Sequence, residues 1–289
     1  MRRLILLIFS LVVLLAACSD SSKDEANSLA PIPTRAVLKV PSEYLTIQDA
    51  VDNSEDGDTI LVAAGVYSGQ GNCDIELLRR QVYIFSESGP ATTVIECGGT
   101  AAEPHLGFQI TGQSDASVID GFTIRDGYAA QGAAISCQTS SLIIRNCIFY
   151  NNRATTSGGA IRCKGTSPKI INCTFIGNAA PVGGTLQVMA GASPTLERCI
   201  VAFSSDGGAV YSSGNTSIPR FSCCLVYGNV GGDWEGLIAD QLNQRGNLHE
   251  DPVICGPETA DFRLSDGSPC LPSGNSCGVL IGALGAGCD

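Results

Sequence analysis

The stretch SGGAIRCKGTSPKIINCTFIGN, residues 157–178, decides the fold, because near-copies of it stand on either side. Its opening Gly158-Gly159-Ala160-Ile161 has counterparts at Gly132-Ala133-Ala134-Ile135, Gly183-Gly184-Thr185-Leu186 and Gly207-Gly208-Ala209-Val210. Its closing element, Asn172-Cys173-Thr174-Phe175, has counterparts at Gly121-Phe122-Thr123-Ile124, Asn146-Cys147-Ile148-Phe149, Arg198-Cys199-Ile200-Val201 and Cys223-Cys224-Leu225-Val226. Both recur at steps of about 25 residues, the period of a solenoid in which each row buries its apolar face against its neighbours.

Within a row, apolar and polar residues alternate over short runs such as Leu142-Ile143-Ile144-Arg145, and Gly, Asn, Ser or Pro separates the runs. That is strand patterning, and no row holds a helix-length run at period 3.6. Short strands at constant coil length stack in parallel, so each inward position faces its own copy one coil away. The expected ladders are Phe122 over Cys147, Cys173, Cys199 and Cys224, and Ile124 over Phe149, Phe175 and Val201. Cysteine there acts as a small hydrophobe, because metal binding would call for CxxC pairs or nearby histidine. The glycine pairs mark corners, and Asn152, Asn178 and Asn229 are expected to take left-handed geometry and to stack along the axis. Ser167-Pro168 and Ser193-Pro194 open the following strands.

Both coil ends need covers against edge pairing. At the N-terminus, Thr46 is expected to cap a short helix whose Ile47, Ala50 and Val51 face inward, before Asp56-Gly57-Asp58 turns into a strand from Thr59. Asp52, Ser54, Asp56, Gly57 and Asp58 are spaced like part of a calcium loop, but Ala63 stands where its closing Glu belongs, so a plain turn is expected. Cys255, Cys270, Cys277 and Cys288 crowd the C-terminal stretch, where four cysteines allow three pairings. The reading is therefore all-β, a parallel β-helix with a short N-terminal capping helix and a Cys-rich C-terminal cap. It forms one domain over residues 37–288, with caps at 37–70 and 247–288 and the clearest repeats at 116–230.

Ahead of this domain, Arg2 and Arg3 precede an apolar run over residues 4–17, the pattern of an export signal rather than of a membrane span. Leu15-Ala16-Ala17-Cys18 resembles the lipobox of bacterial lipoproteins, whose cysteine is diacylated and becomes the first residue after cleavage. The resemblance implies a lipid-bearing Cys18 and a membrane partner, with residues 18–36 as a tether. Ser19, in place of the Asp that retains such proteins at the inner membrane in enterobacteria, favours the outer membrane. The chain carries a net charge of −11, two units more negative once Arg2 and Arg3 leave with the signal. Nucleic acid and anionic lipid headgroups are thus poor partners. Of the 14 cysteines, Cys18 aside, an odd number remains, so at least one thiol is free or pairs between molecules.

The cap VPSEYLTIQDAVDNSEDGDTILVAAGVYSG, then VIDGFTIRDG and the repeated rows, resemble right-handed parallel β-helix proteins of the pectin-lyase-like superfamily, nearest to its bacterial envelope proteins of unassigned function. The Gly-Gly-Ala-Ile and Phe-x-x-Asn elements are also similar to repeats of chlamydial polymorphic outer-membrane adhesins. The superfamily includes polysaccharide lyases, polygalacturonases, pectin esterases and epimerases, so the resemblance admits carbohydrate chemistry. The Asn-Thr-Asp, Asp-Asp and Gly-His-Gly set of polygalacturonases does not occur in this sequence. His105 and His249 stand outside the repeat rows and read as solvated bystanders. The nearest lyase-like set is Asp115, Asp120, Asp126 and Arg125, but Asp126 aligns with Asn151 and Gly177 rather than with further acids.

The expected function is a lipid-anchored envelope module that binds or displays, with a glycan or a protein as ligand. The alternatives are a polysaccharide lyase-type enzyme and a purely structural component. No cofactor or metal is assigned, and Asn151, Asn152, Arg153, Lys164, Lys169 and Asn178 are the expected solvent-side polar face. Trp234, the only tryptophan, lies past the last clear repeat and offers no evident sugar platform.

Overall fold

A computed structural model describes residues 36–112, 117–140 and 142–288. The leader, Cys18, the tether through residue 35 and Asp115 lie outside the described residues. The chain winds as a parallel solenoid with three sheets as its faces. An eight-stranded sheet runs from Val37–Val40 to Arg220–Ser222, a seven-stranded one from Gly65–Ser68 to Leu225–Tyr227, and a six-stranded one from Ile75–Leu78 to Val210–Ser212. Pairing is in register from coil to coil: Phe149 lies between Ile124 and Phe175, Ile144 between Ile119 and Ile170, and Cys137 between Ile110 and Cys163.

The inward ladders form as the repeat dictates. Phe122, Cys147, Cys173, Cys199 and Cys224 are all 0% exposed. Phe149 and Phe175 stack with ring centroids 4.6 Å apart and planes 9° from parallel. Cys137 and Cys163 make a second thiol column on the six-stranded sheet, with sulfurs 3.7 Å apart. The paired glycines answer two different demands. Gly158 has a positive φ of 63°, whereas a Cβ on Gly159 would stand 2.1 Å from the Gly184 carbonyl oxygen.

Left-handed backbone falls one residue ahead of the expected asparagines, at Asn151, Gly177 and Gly228, and at Asp126 and Phe203 in the equivalent place of the other coils. Asn152 and Asn178 themselves are 0% exposed, which removes both from the expected solvent face. Their amides are needed inside: Asn152 Nδ2 donates to Ile124 O and to Asn178 Oδ1, both at 3.0 Å, and Asn178 Nδ2 donates to Phe149 O at 2.9 Å. Each bonds the carbonyl of a strand residue one coil back. Asn229 repeats the device, donating to Val201 O at 3.1 Å.

The helix Ile47–Asp52 covers the N-terminal end, with Thr46 Oγ1 accepting from Asp49 N at 3.1 Å and Ile47, Ala50 and Val51 buried. At the other end, Trp234 and Ile238 join the inner core. Trp234 packs edge-on against Phe221 and donates from Nε1 to Leu248 O at 3.1 Å.

The Cys-rich terminus is disulfide-bonded, though only one of its two bonds lies within its own four cysteines. Cys255 pairs with Cys288, whereas Cys277 pairs with Cys223 of the last repeat row and Cys270 stays a buried thiol. Cys224 takes the inward ladder position, so its left-handed neighbour Cys223 is free to bond outside the coil. Phe262, Leu264 and Ile281 of this terminus pack with Ile148, Ile176, Ile200 and Leu225, covering the outer face of the seven-stranded sheet.

Candidate functional site

A cleft of about 980 Å³ opens beside the N-terminal helix, where the helix meets the corners of the first coils. Gln48 ties the two together: its N–H donates to Gly71 O at 2.8 Å, its Oε1 accepts from Glu76 N at 2.8 Å, and its Nε2 donates to Asp52 Oδ1 at 2.9 Å. Asn72 Oδ1 accepts from Ile47 N at 3.1 Å. Gly71, at φ 82°, lies so close to Thr46 that a Cβ would stand 2.6 Å from its hydroxyl, so only glycine closes this corner.

The lining is acidic. Asp49, Asp52, Asp74 and Glu76 border the cleft and are exposed, and His105 is the one basic side chain among the described lining residues. Asp74 Oδ2 contacts His105 Nδ1 at 2.6 Å, while Asp74 Oδ1 accepts from Leu106 N at 2.8 Å. The Asp74 carboxylate favours the imidazolium and raises the His105 pKa above its ordinary value.

Cys73 and Cys97 form one wall of the cleft. Cys73 Sγ donates to Glu96 O at 3.3 Å. The hydrogen bond between the two thiols holds Cys73 below the ordinary thiol range, against burial and helped by the charge on His105. The same bond, with burial, pushes Cys97 well up.

Among the described residues, the lyase-like Asp120, Arg125 and Asp126 do not converge on such an opening. Asp120 accepts from Arg145 Nε and from Asn146 Nδ2, both at 2.7 Å. Asn172 Nδ2 donates to Asn146 Oδ1 at 3.3 Å and Asn172 Oδ1 accepts from Arg198 Nε at 2.6 Å, so Asp120 begins an outward polar column. Asp126 stacks on Asn151 as the alignment requires, accepting from Asn151 Nδ2 at 2.5 Å. Arg125 pairs with Glu96 at 2.5 Å and lies 3.5 Å from Asp126. Each acid is thus held by a cation or amide on its own or a neighbouring coil.

Asp56 and Asp58 accept backbone N–H groups of Gln81, Ala36 and Glu55, the pattern of the plain helix-to-strand turn. His249 is outside the rows as expected but is not partnerless: its Nε2 lies 2.9 Å from Asp233 Oδ2. Burial acts to raise the Asp233 pKa, but bonds from Asn229, His249 and Gly228 outweigh it and hold the carboxyl low.

Residues 66–238 match the family model for the right-handed β-helix region. The chain belongs to the right-handed β-helix family. A search of curated proteins finds no match. The β-helix is consistent with the pectin-lyase-like superfamily, and a shared fold leaves the chemistry to be argued from the site.

No sequence motif groups Cys73, Asp74, Cys97 and His105. Asp74 and His105 are 31 residues apart, more than one regular coil, so the repeat alignment does not superimpose them.

Proposed function

We propose that this β-helix is a lipid-anchored envelope module that binds a neutral or amino-bearing glycan in the cleft beside the N-terminal helix. One observation carries the reading: an open cleft of about 980 Å³ lined by Asp, Glu, Gln and Thr side chains. Such side chains hydrogen-bond sugar hydroxyls, and four carboxylates against one imidazole attract ammonium groups and repel uronates. An acidic polysaccharide of the pectate type is therefore the wrong charge for this site. The anchor is the diacylated Cys18 of the lipobox-like stretch, and Ser19 favours the outer membrane.

The test is calorimetric titration of the purified protein with oligosaccharides of glucosamine, with neutral oligosaccharides and with oligouronates, alongside an ultraviolet assay for unsaturated sugar products. Glucosamine oligomers should bind best, and added salt should weaken them. Asp49→Asn and Glu76→Gln should each weaken binding by about two- to five-fold, the effect of one exposed charge. Tight oligouronate binding or release of unsaturated products would instead establish the lyase alternative, and saturable capture of a protein with no glycan bound would make this a protein-docking module.

A further inference from the structure

Nine cysteines in the described chain are free and buried, and seven of them have no place in the wall of the cleft. The columns Cys147, Cys173, Cys199, Cys224 and Cys137, Cys163 are sealed in the core at 0% exposure, where packing accounts for them. Cys73 and Cys97 differ: at 6% and 5% exposure they border a solvent-open space, and Cys73 Sγ donates at 3.3 Å to Glu96 O, the carbonyl that directly precedes Cys97. Cys97 directly follows the strand Thr93–Glu96, and Cys73 sits at the corner after the strand Gly65–Ser68 that pairs with it. The Asp74–His105 pair stands at the same corner, immediately after Cys73.

We propose that Cys73 and Cys97 form a dithiol that exchanges with disulfides entering the cleft, Cys73 attacking and Cys97 resolving. This goes beyond the glycan reading: it uses the same opening but needs no sugar. The Cys73 thiolate attacks one sulfur of an incoming disulfide, forming a mixed disulfide and expelling the other half as a thiolate that takes a proton from solvent. Cys97, on losing its proton, attacks Cys73 Sγ, closes the Cys73–Cys97 bond and expels the second half. Two electrons pass from the dithiol to the incoming disulfide, so each turn oxidises the protein and reduces its partner. The attack falls to Cys73 because it, and not Cys97, adjoins the Asp74–His105 pair, whose imidazolium favours its thiolate. The substrate class is a small neutral or cationic disulfide, since the same carboxylates repel anionic ones.

The experiment takes the purified protein, reduced until peptide mapping finds Cys73 and Cys97 free, and adds neutral dithiodipyridine without denaturant. The expected result is a burst of two thiopyridones per chain, a Cys73–Cys97 disulfide in the peptide map and no pyridyl adduct. Cys97→Ser should stop after one thiopyridone with the adduct on Cys73. Cys73→Ser should lose the burst, whereas Cys137→Ser should keep it. A first adduct on any other cysteine of the wild-type protein, or a wild-type trace without a burst, would overturn the proposal, and neither outcome depends on how a variant folds.

Discussion

Asn178 holds two neighbours at once. Its Nδ2 donates to Phe149 O at 2.9 Å and its Oδ1 accepts from Asn152 N at 3.1 Å, all away from water. Asn178→Ala removes the acceptor of the Asn152 N–H and should cost about 1–3 kcal/mol for that buried orphan, read as a shift in the urea midpoint. An unchanged midpoint would mean that water replaces the amide. At the cleft, His105 has a raised pKa, so its ion pair with Asp74 is fully present below the ordinary imidazole value of 6.5 and is lost as pH rises through the raised one. An NMR titration should place the His105 midpoint above 6.5, and Asp74→Asn should lower it toward that value. A wild-type midpoint at or below 6.5 would contradict the contact.

At the scale of elements, the inner ladders were legible because a fixed period puts like residues at like heights. Phe149 over Phe175 and the cysteine column follow directly from the aligned rows. Phe175→Ala should cost about 3–5 kcal/mol, as truncation of a fully buried aromatic does, with a correspondingly lower thermal midpoint. The terminus on the outer face was not legible, because its partners are remote in sequence: Ala283 N donates to Thr174 Oγ1 across 109 residues. Two signals were nevertheless present. Cys223-Cys224 doubles a position the repeat fills once, and Ile148, Ile200 and Leu225 put apolar side chains where an uncovered strand would be polar. The Cys223–Cys277 bond closes a separation of 54 residues, worth about 4 kcal/mol in a chain-entropy account. Cys223→Ser with Cys277→Ser should loosen the terminus and raise binding of a hydrophobic dye at the uncovered sheet. Dye binding equal to wild type would show that packing alone holds the segment.

For the molecule as a whole, the repeat fixes a scaffold and leaves the distinctive chemistry to places where the repeat fails. The cleft is built from the capping helix and irregular corners at residues 69–76 and 97–105, which no row alignment could bring together. The acids that do align, Asp120 and Asp126, are held within polar columns instead. Lipid anchoring belongs to this scale too. Cys18→Ala should move the protein from the detergent phase to the aqueous phase on Triton X-114 partitioning, and unchanged partitioning would rule out acylation at that residue.

The proposed binding surface is the cleft, and amide hydrogen exchange with and without a saturating glucosamine oligosaccharide tests it most directly. Protection is predicted at residues 46–52, 69–76 and 97–105, with the seven-stranded sheet and the C-terminal segment unchanged. Protection confined to the solenoid faces, with none at these three segments, would contradict it.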